Sequence, residues 1–311
     1  MPIDAATALA APPRTEEISW TRKDVQLYHL GVGAGVPATD VRELRYTLES
    51  RLQVLPSFAT VAGARPPGVI RALSVPGVDV DLARVLHGGQ TLTVHRPLPV
   101  QGTATTTSRV TAVYDKGTAA VLHLRTEAAD ADGPLWTDEA QVFVRGEGGW
   151  GGDRGSSVRA AAPAGEPALT VDRPVREDQA LLYRLSGDGN PLHADPEFAR
   201  RAGFDRPVLH GLCTYGLTLK TVVDHLLAGE ATRVRGCAAR FAGVAYPGET
   251  LRIRLWPEEP GRPDRPDRPE QPDGTAARAG APQGGGTVRA TVTALERDEA
   301  PVLADTVVEY V

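Results

Sequence analysis

Cysteine is nearly absent from this chain of 311 residues, which holds only Cys213 and Cys237. Two thiols cannot build a disulfide framework, and no Cys/His spacing marks a metal site. Long apolar runs are missing too: no stretch reaches the roughly 18 apolar residues that a bilayer-crossing helix needs. Charge of one sign is also scarce. The formal net charge is -5, and no basic block is present, so nucleic acid and anionic membrane are poor partners. The opening MPIDAATALAAPPRTEE has neither a basic start nor a continuous apolar core, so it does not read as a signal peptide. A cytoplasmic protein is expected. The single Met, with abundant Ala, Gly, Pro and Arg, suggests a GC-rich bacterial source.

What is present divides in two. A chain of this length suits two halves of about 150 residues each. Residues 1–17 read as a flexible arm. Residues 18–150 form a first half, 151–168 a linker entered through GEGGWGGDRGSS at 146–157, and 169–311 a second half. Within the first half, Thr21 caps a short predicted helix. DVRELRYTLESRL at 40–52 is a predicted helix, because Val41, Leu44, Leu48 and Leu52 recur at near-helical spacing. From Gln90 the pattern turns to Thr- and Val-rich strands with turns at Pro97–Pro99, Asp115–Gly117 and Asp130–Gly133. The second half repeats the theme with a longer helix from Leu209 to Leu227 and four further strands. Residues 257–286, rich in Pro, Gly and charge, read as a disordered insertion.

The two halves resemble each other in pattern. GGQTLTVHRPLP matches YPGETLRIRLWPE, and GTAAVLHLRTEAADADGPLWTDEAQVFVRG matches GTVRATVTALERDEAPVLADTVVEYV. A helix with long antiparallel strands, occurring twice, predicts two copies of one α+β unit packed as a pseudo-dimer.

The most unusual stretch is YRLSGDGNPLHADPEFARRAGFDRPVLHGLCTYG, Tyr183 to Gly216. Ser186 to Asn190 has turn composition. Asp195-Pro196 is a helix N-cap with proline in the first turn, and Gly203 ends that helix. His210-Gly211 opens the longer apolar helix, where His210 caps it or fills the interior. An aspartate, two histidines and an asparagine in one loop exceed what a structural turn needs.

This stretch closely resembles the signature of the MaoC-like, R-specific enoyl-CoA hydratases. LGVGA at 30–34, VLPSFA at 54–59, LHGGQTLTVHRPLP at 86–99, YDKG at 114–117 and RFAGVAYPGETL at 240–251 extend the resemblance over most of residues 18–311. They are similar to the double hot-dog members, which include the hydratase portion of the peroxisomal multifunctional enzyme. The implied fold is α+β, two tandem hot-dog units, each a long helix wrapped by an antiparallel sheet. The implied activity is reversible hydration of trans-2-enoyl-CoA to (3R)-3-hydroxyacyl-CoA, by a lyase without metal or other cofactor, CoA being part of the substrate.

Such chemistry needs a base to activate water, an acid for the α-carbon and a donor for the enolate-like oxygen. Asp188 and His193 lie on a non-helical turn from which both side chains can converge on one water, and the resemblance makes them the acid/base pair. Which of them takes the proton from water stays open. Asn190 orients Asp188 or closes the turn. The N–H of Gly211, at a helix start, suits an oxyanion. By resemblance, His87 and Gly88, Lys116 and Phe241 match positions touching the bound acyl-CoA, with Lys116 suited to a CoA phosphate. The resemblance also implies pairing into a homodimer. Three alternatives stand beside this reading: a biosynthetic dehydratase on carrier-protein-bound 3-hydroxyacyl thioesters, a non-catalytic acyl-CoA-binding module, and a thioesterase. Binding alone requires neither Asp188 nor His193. Thioesterase chemistry usually uses an acid on the central helix, where only Asp224 occurs.

Overall fold

Strands such as Gly286–Ala294, GTVRATVTA, alternate buried and half-buried residues, turning one face to the core and the other outward. The computed structural model describes residues 3–63, 74–156, 160–161, 163–258 and 284–311. Its strands are β1 (Arg14–Trp20), β2 (Val85–Val94), β3 (Gly102–Asp115), β4 (Ala119–Asp130), β5 (Gly133–Arg145), β6 (Leu169–Pro174), β7 (Val234–Phe241), β8 (Thr250–Glu258), β9 (Gly286–Ala294) and β10 (Ala300–Tyr310). All pair antiparallel in one sheet, in the order β1-β3-β4-β5-β2-β7-β10-β9-β8-β6. The order is a palindrome. Each half supplies five strands in the same relative arrangement, and β2 meets β7 at the seam, from Gly89 opposite Arg240 to Thr93 opposite Gly236.

This topology corrects the internal match by one strand. GGQTLTVHRPLP holds β2, whose counterpart is β7, whereas ETLRIRLWPE is β8 and corresponds to β3. Both β2 and β3 are Thr/Val-rich, so composition alone does not separate them. The second match, β4-β5 with β9-β10, holds.

The helices are α1 (Ala5–Ala10), α2 (Arg22–Gly31), α3 (Leu44–Thr47), α4 (Gln179–Tyr183), α5 (Pro196–Arg201) and α6 (Gly211–Leu226). Every residue from Leu212 to Val223 in α6 is buried, including Thr218 and Thr221, whose hydroxyls donate to the Thr214 and Leu217 carbonyls. The helix sits in the main core with α2 and strands of both halves. Thr21 caps α2 as predicted, in a full capping box with Asp24.

Two expectations fail. The arm expected at 1–17 is ordered from Ile3: α1 buries Ala8 against Val110 and Val113 of β3, and β1 begins at Arg14 along the edge of β3. The long helix expected at 40–52 shrinks to α3. Val41 is 65% exposed, and the segment is instead held by its polar residues. Lys220, buried on α6, pairs with Glu43 Oε1 at 2.8 Å and Asp224 Oδ2 at 2.6 Å, and the Tyr46 hydroxyl donates to Asp224 Oδ1 at 2.6 Å. These bonds set the backbone path in place of the apolar stripe. Among the described residues the first half therefore has no counterpart to α6; a single helical turn at Pro56–Thr60 packs there. Of the expected insertion, Pro257–Glu258 end β8 and Gly286 opens β9, while 259–283 lie outside the described residues.

Candidate active site

Gly187, at φ +125°, turns the chain out of α4 in a conformation that side chains rarely adopt. Asp188 follows. Its Oδ1 accepts the N–H of Asn190 at 3.1 Å, and Asn190 Oδ1 accepts the N–H of Leu192 at 3.0 Å. Asn190 therefore closes the turn and starts the single helical turn Pro191–His193. Arg184 braces the same loop, donating from Nη2 to the Gly189 carbonyl at 3.0 Å. Asp195 then caps α5, and Gly203 ends it at φ +89°, as the sequence predicts.

His193 is fixed by one bond. Its Nδ1 lies 2.9 Å from the Val208 carbonyl. A carbonyl only accepts, so Nδ1 carries a proton and Nε2 is the nitrogen that titrates. Burial lowers the His193 pKa, with the Asp188 charge opposing, so the ring is neutral at neutral pH and Nε2 holds a free lone pair. Donor atoms of Asp188, His193 and His210 lie within 4.8 Å of one another. The two rings stack at 3.7 Å and 27°.

A cavity of about 210 Å³ opens in front of the pair, lined by Asp188, Asn190, His193, Gly211, His87 and Phe241 among apolar residues such as Leu192, Val208, Leu212 and Val302. Gly211 is the first residue of α6, so its N–H has no partner within the helix and lies at the positive end of the dipole. A Cβ there would lie 2.9 Å from Phe241 Cδ1 and Cε1. Gly211→Ala is therefore expected to push the Phe241 ring into the cavity, costing about 1–3 kcal/mol. Thermal unfolding and KM are the measurements, and wild-type values for both would refute this close packing.

The first half reaches the cavity through His87. Its ring lies 4.6 Å from that of Phe241 across the seam, and burial lowers its pKa to about 4. Its Nε2 is buried without a hydrogen-bond partner. Gly88 is not on the cavity wall; it is the extra residue of a β-bulge between His87 and Gly89. Such bulges re-aim a neighbouring side chain. Lys116 does not line the cavity either. It sits on the β3–β4 turn, where its Nζ donates to the Arg154 and Ser156 carbonyls. Asp115 beside it is pulled down to about 2, chiefly by the Gly149 N–H with those of Gly117 and Gly151, which ties this turn to the linker.

Comparison with known proteins covers both halves of the chain. Positions 159–268 match the MaoC like domain, and 18–146 match the MFE-2 hydratase 2 N-terminal domain. Enoyl-CoA hydratase ChsH3 of Mycobacterium tuberculosis is 51% identical over 259 residues, covering 83% of this chain and 91% of that protein. The chain belongs to the MaoC-like, hydratase 2 family. A MaoC-like dehydratase from Phytophthora capsici superposes with a TM-score of 0.80 at 26% identity, covering 99% of this chain and 98% of that one. A second M. tuberculosis protein, described as having a double hotdog fold, superposes at 0.58 with 14% identity over 99% and 97% of the two chains. The palindromic sheet with its buried α6 is that double hot-dog, α+β as expected.

One contact in this MaoC-like site escapes sequence reasoning. His210 stacks on His193 and points Nε2 at the Asp188 carbonyl. The available signal was a histidine at a helix N-cap, where Ser, Thr, Asp or Asn is usual.

Proposed function

We propose that the protein is a hydro-lyase that adds water across trans-2-enoyl-CoA to give (3R)-3-hydroxyacyl-CoA, with Asp188 and His193 as its acid/base pair. The observation that carries the assignment of the pair is the neutral His193, with Nε2 free, beside Asp188 at the mouth of an apolar cavity. The hydratase relatives and family support the reaction class. As water oxygen bonds to C3, His193 Nε2 takes one of its protons. The electrons of the C=C bond move towards the thioester oxygen, held by the Gly211 N–H. The imidazolium, stabilised by the Asp188 carboxylate, returns that proton to C2, and the balance closes without another reactant. His87 and Phe241 form the wall between the halves that receives the thioester, and Lys116 with Gly88 belongs to the outer CoA contacts.

Residence in the cytoplasm is part of the same proposal, supported by two buried free cysteines that suit a reducing compartment. So is homodimer formation, which the family resemblance supports. The activity test follows the loss of enoyl-thioester ultraviolet absorbance with crotonyl-CoA and a medium-chain trans-2-enoyl-CoA, followed by chiral analysis of the product. Turnover to the 3R alcohol is expected. A 3S product, or binding without turnover on CoA and carrier-protein thioesters alike, would refute it; turnover on the carrier-protein thioester alone would replace CoA as carrier.

A further inference from the structure

His210 has no part in the proton transfers above, yet it touches each component of the site. It is 1% exposed and occupies the N-cap of α6 without making a side-chain capping bond. Ser, Thr, Asp or Asn there would satisfy a helix N–H, so the position forgoes helix stability for another contact. That contact is the Asp188 main-chain carbonyl, 3.3 Å from His210 Nε2. Since a carbonyl only accepts, Nε2 carries the proton. The ring stacks on His193 at 3.7 Å on one side and meets the Tyr183 ring at 4.8 Å on another. The next residue along the chain is Gly211. Leu209 and Gly211 line the cavity, and His210 between them does not.

We propose that His210 is a positioning residue for the hydration step, holding the Asp188 backbone, the His193 ring plane and the start of α6 in one arrangement without touching substrate. The proposal rests on the acid/base reading of Asp188 and His193. Electrostatics agree with it. Burial pushes the His210 pKa well below the ordinary imidazole value, and the neighbouring His193 pushes it further, so the two rings are not charged together. The groups acting on this stack are Asp188 and Arg184 from the catalytic loop, the two histidines on each other, and Tyr183 at the end of α4.

Two substitutions separate the contacts. His210→Phe keeps a flat ring on His193 and loses the N–H to Asp188; His210→Gln keeps a donor and loses the stack. Each is expected to lower kcat by roughly 10–100-fold through misplacement of the pair, with KM for the enoyl-CoA unchanged. His210→Gln also admits water beside His193, so the acid limb of its kcat/KM profile moves up towards the ordinary imidazole range. In His210→Phe that limb stays in place. If one variant fails to fold, the other decides: the glutamine by its shifted limb, the phenylalanine by its kcat loss at constant KM. Wild-type kcat and pH profile in the variants that fold would overturn the proposal. So would kcat and KM worsening together with an unmoved acid limb, the mark of a packing defect. Asp188→Asn is assayed in parallel. If that variant remains active, the reading of the pair has failed, a result distinct from inert His210 variants beside an inactive Asp188→Asn.

Discussion

Replacing His193 with glutamine lowers kcat/KM by roughly 10²–10⁴-fold, the usual contribution of a positioned general base. The fold is expected to survive, because the side chain leaves from a cavity wall and not from the main core. Asp188→Asn gives a loss of similar size and adds a pH signature. His193 must be neutral to accept a proton, so activity falls as pH drops through its pKa. Burial lowers that pKa below the ordinary imidazole value, placing the acid limb on the acid side of an ordinary imidazole. The Asp188 charge opposes the lowering, so removing it moves the residual activity's acid limb further down. Initial rates on crotonyl-CoA across pH, with unfolding curves for each variant, read both effects. A His193→Gln enzyme within a few-fold of wild type, or an Asp188→Asn limb that moves up, would remove the pair from the mechanism.

The second large effect is on stability. Lys220 is fully buried, with Glu43 and Asp224 on either side of its ammonium and the Tyr46 ring 4.6 Å from it. Lys220→Met fills the space but leaves two carboxylates facing each other without their cation. Breaking a buried ion pair from one side costs about 3–5 kcal/mol, a large share of a typical domain's stability of about 5–15 kcal/mol. Urea unfolding measures the loss. The triple change Lys220→Met, Glu43→Gln, Asp224→Asn restores part of it, since no charge is then left buried alone. A Lys220→Met protein as stable as wild type would show that this cluster does not hold the 33–49 segment to α6.

This cluster also explains why the first half was the harder one to read. Val41, Leu44, Leu48 and Leu52 keep helical spacing, and periodicity assigns a helix wherever apolar residues decide the backbone. Here a lysine 177 positions after Glu43 decides it, and the glutamate and tyrosine that answer it carry no periodic signal. The arm at 1–17 failed for a related reason: α1 is only six residues long, too short to show a periodic pattern, and its reward is burial of Ala8 on a sheet formed much later in the chain. The loop that carries Asp188 and His193 was legible because its conformation is made locally. Gly187, Asp188, Asn190, Pro191, Asp195, Pro196 and Gly203 each act on neighbours a few residues away, and turn and cap chemistry is written at that range. The α6 helix was legible because Leu212, Tyr215, Leu219, Val222, Val223 and Leu226 recur along it at helical spacing. Gly88 and Lys116 were assigned by resemblance, and the structure places them at a bulge and an outer turn instead of on the cavity wall.

The palindromic sheet bears on how such a chain can change over generations. In a dimer of identical subunits any alteration strikes both copies, so neither can abandon its helix or its acid/base loop without the other. Joining the copies in one polypeptide, with β2 beside β7 at their meeting line, removes that constraint. The first copy still owes the second a strand edge and the His87 ring. Between β1 and β2, Lys220 and Asp224 of the second copy hold Glu43 and Tyr46 of the first. Innovation in what the cavity admits can therefore accumulate in one copy while the other keeps the reaction intact.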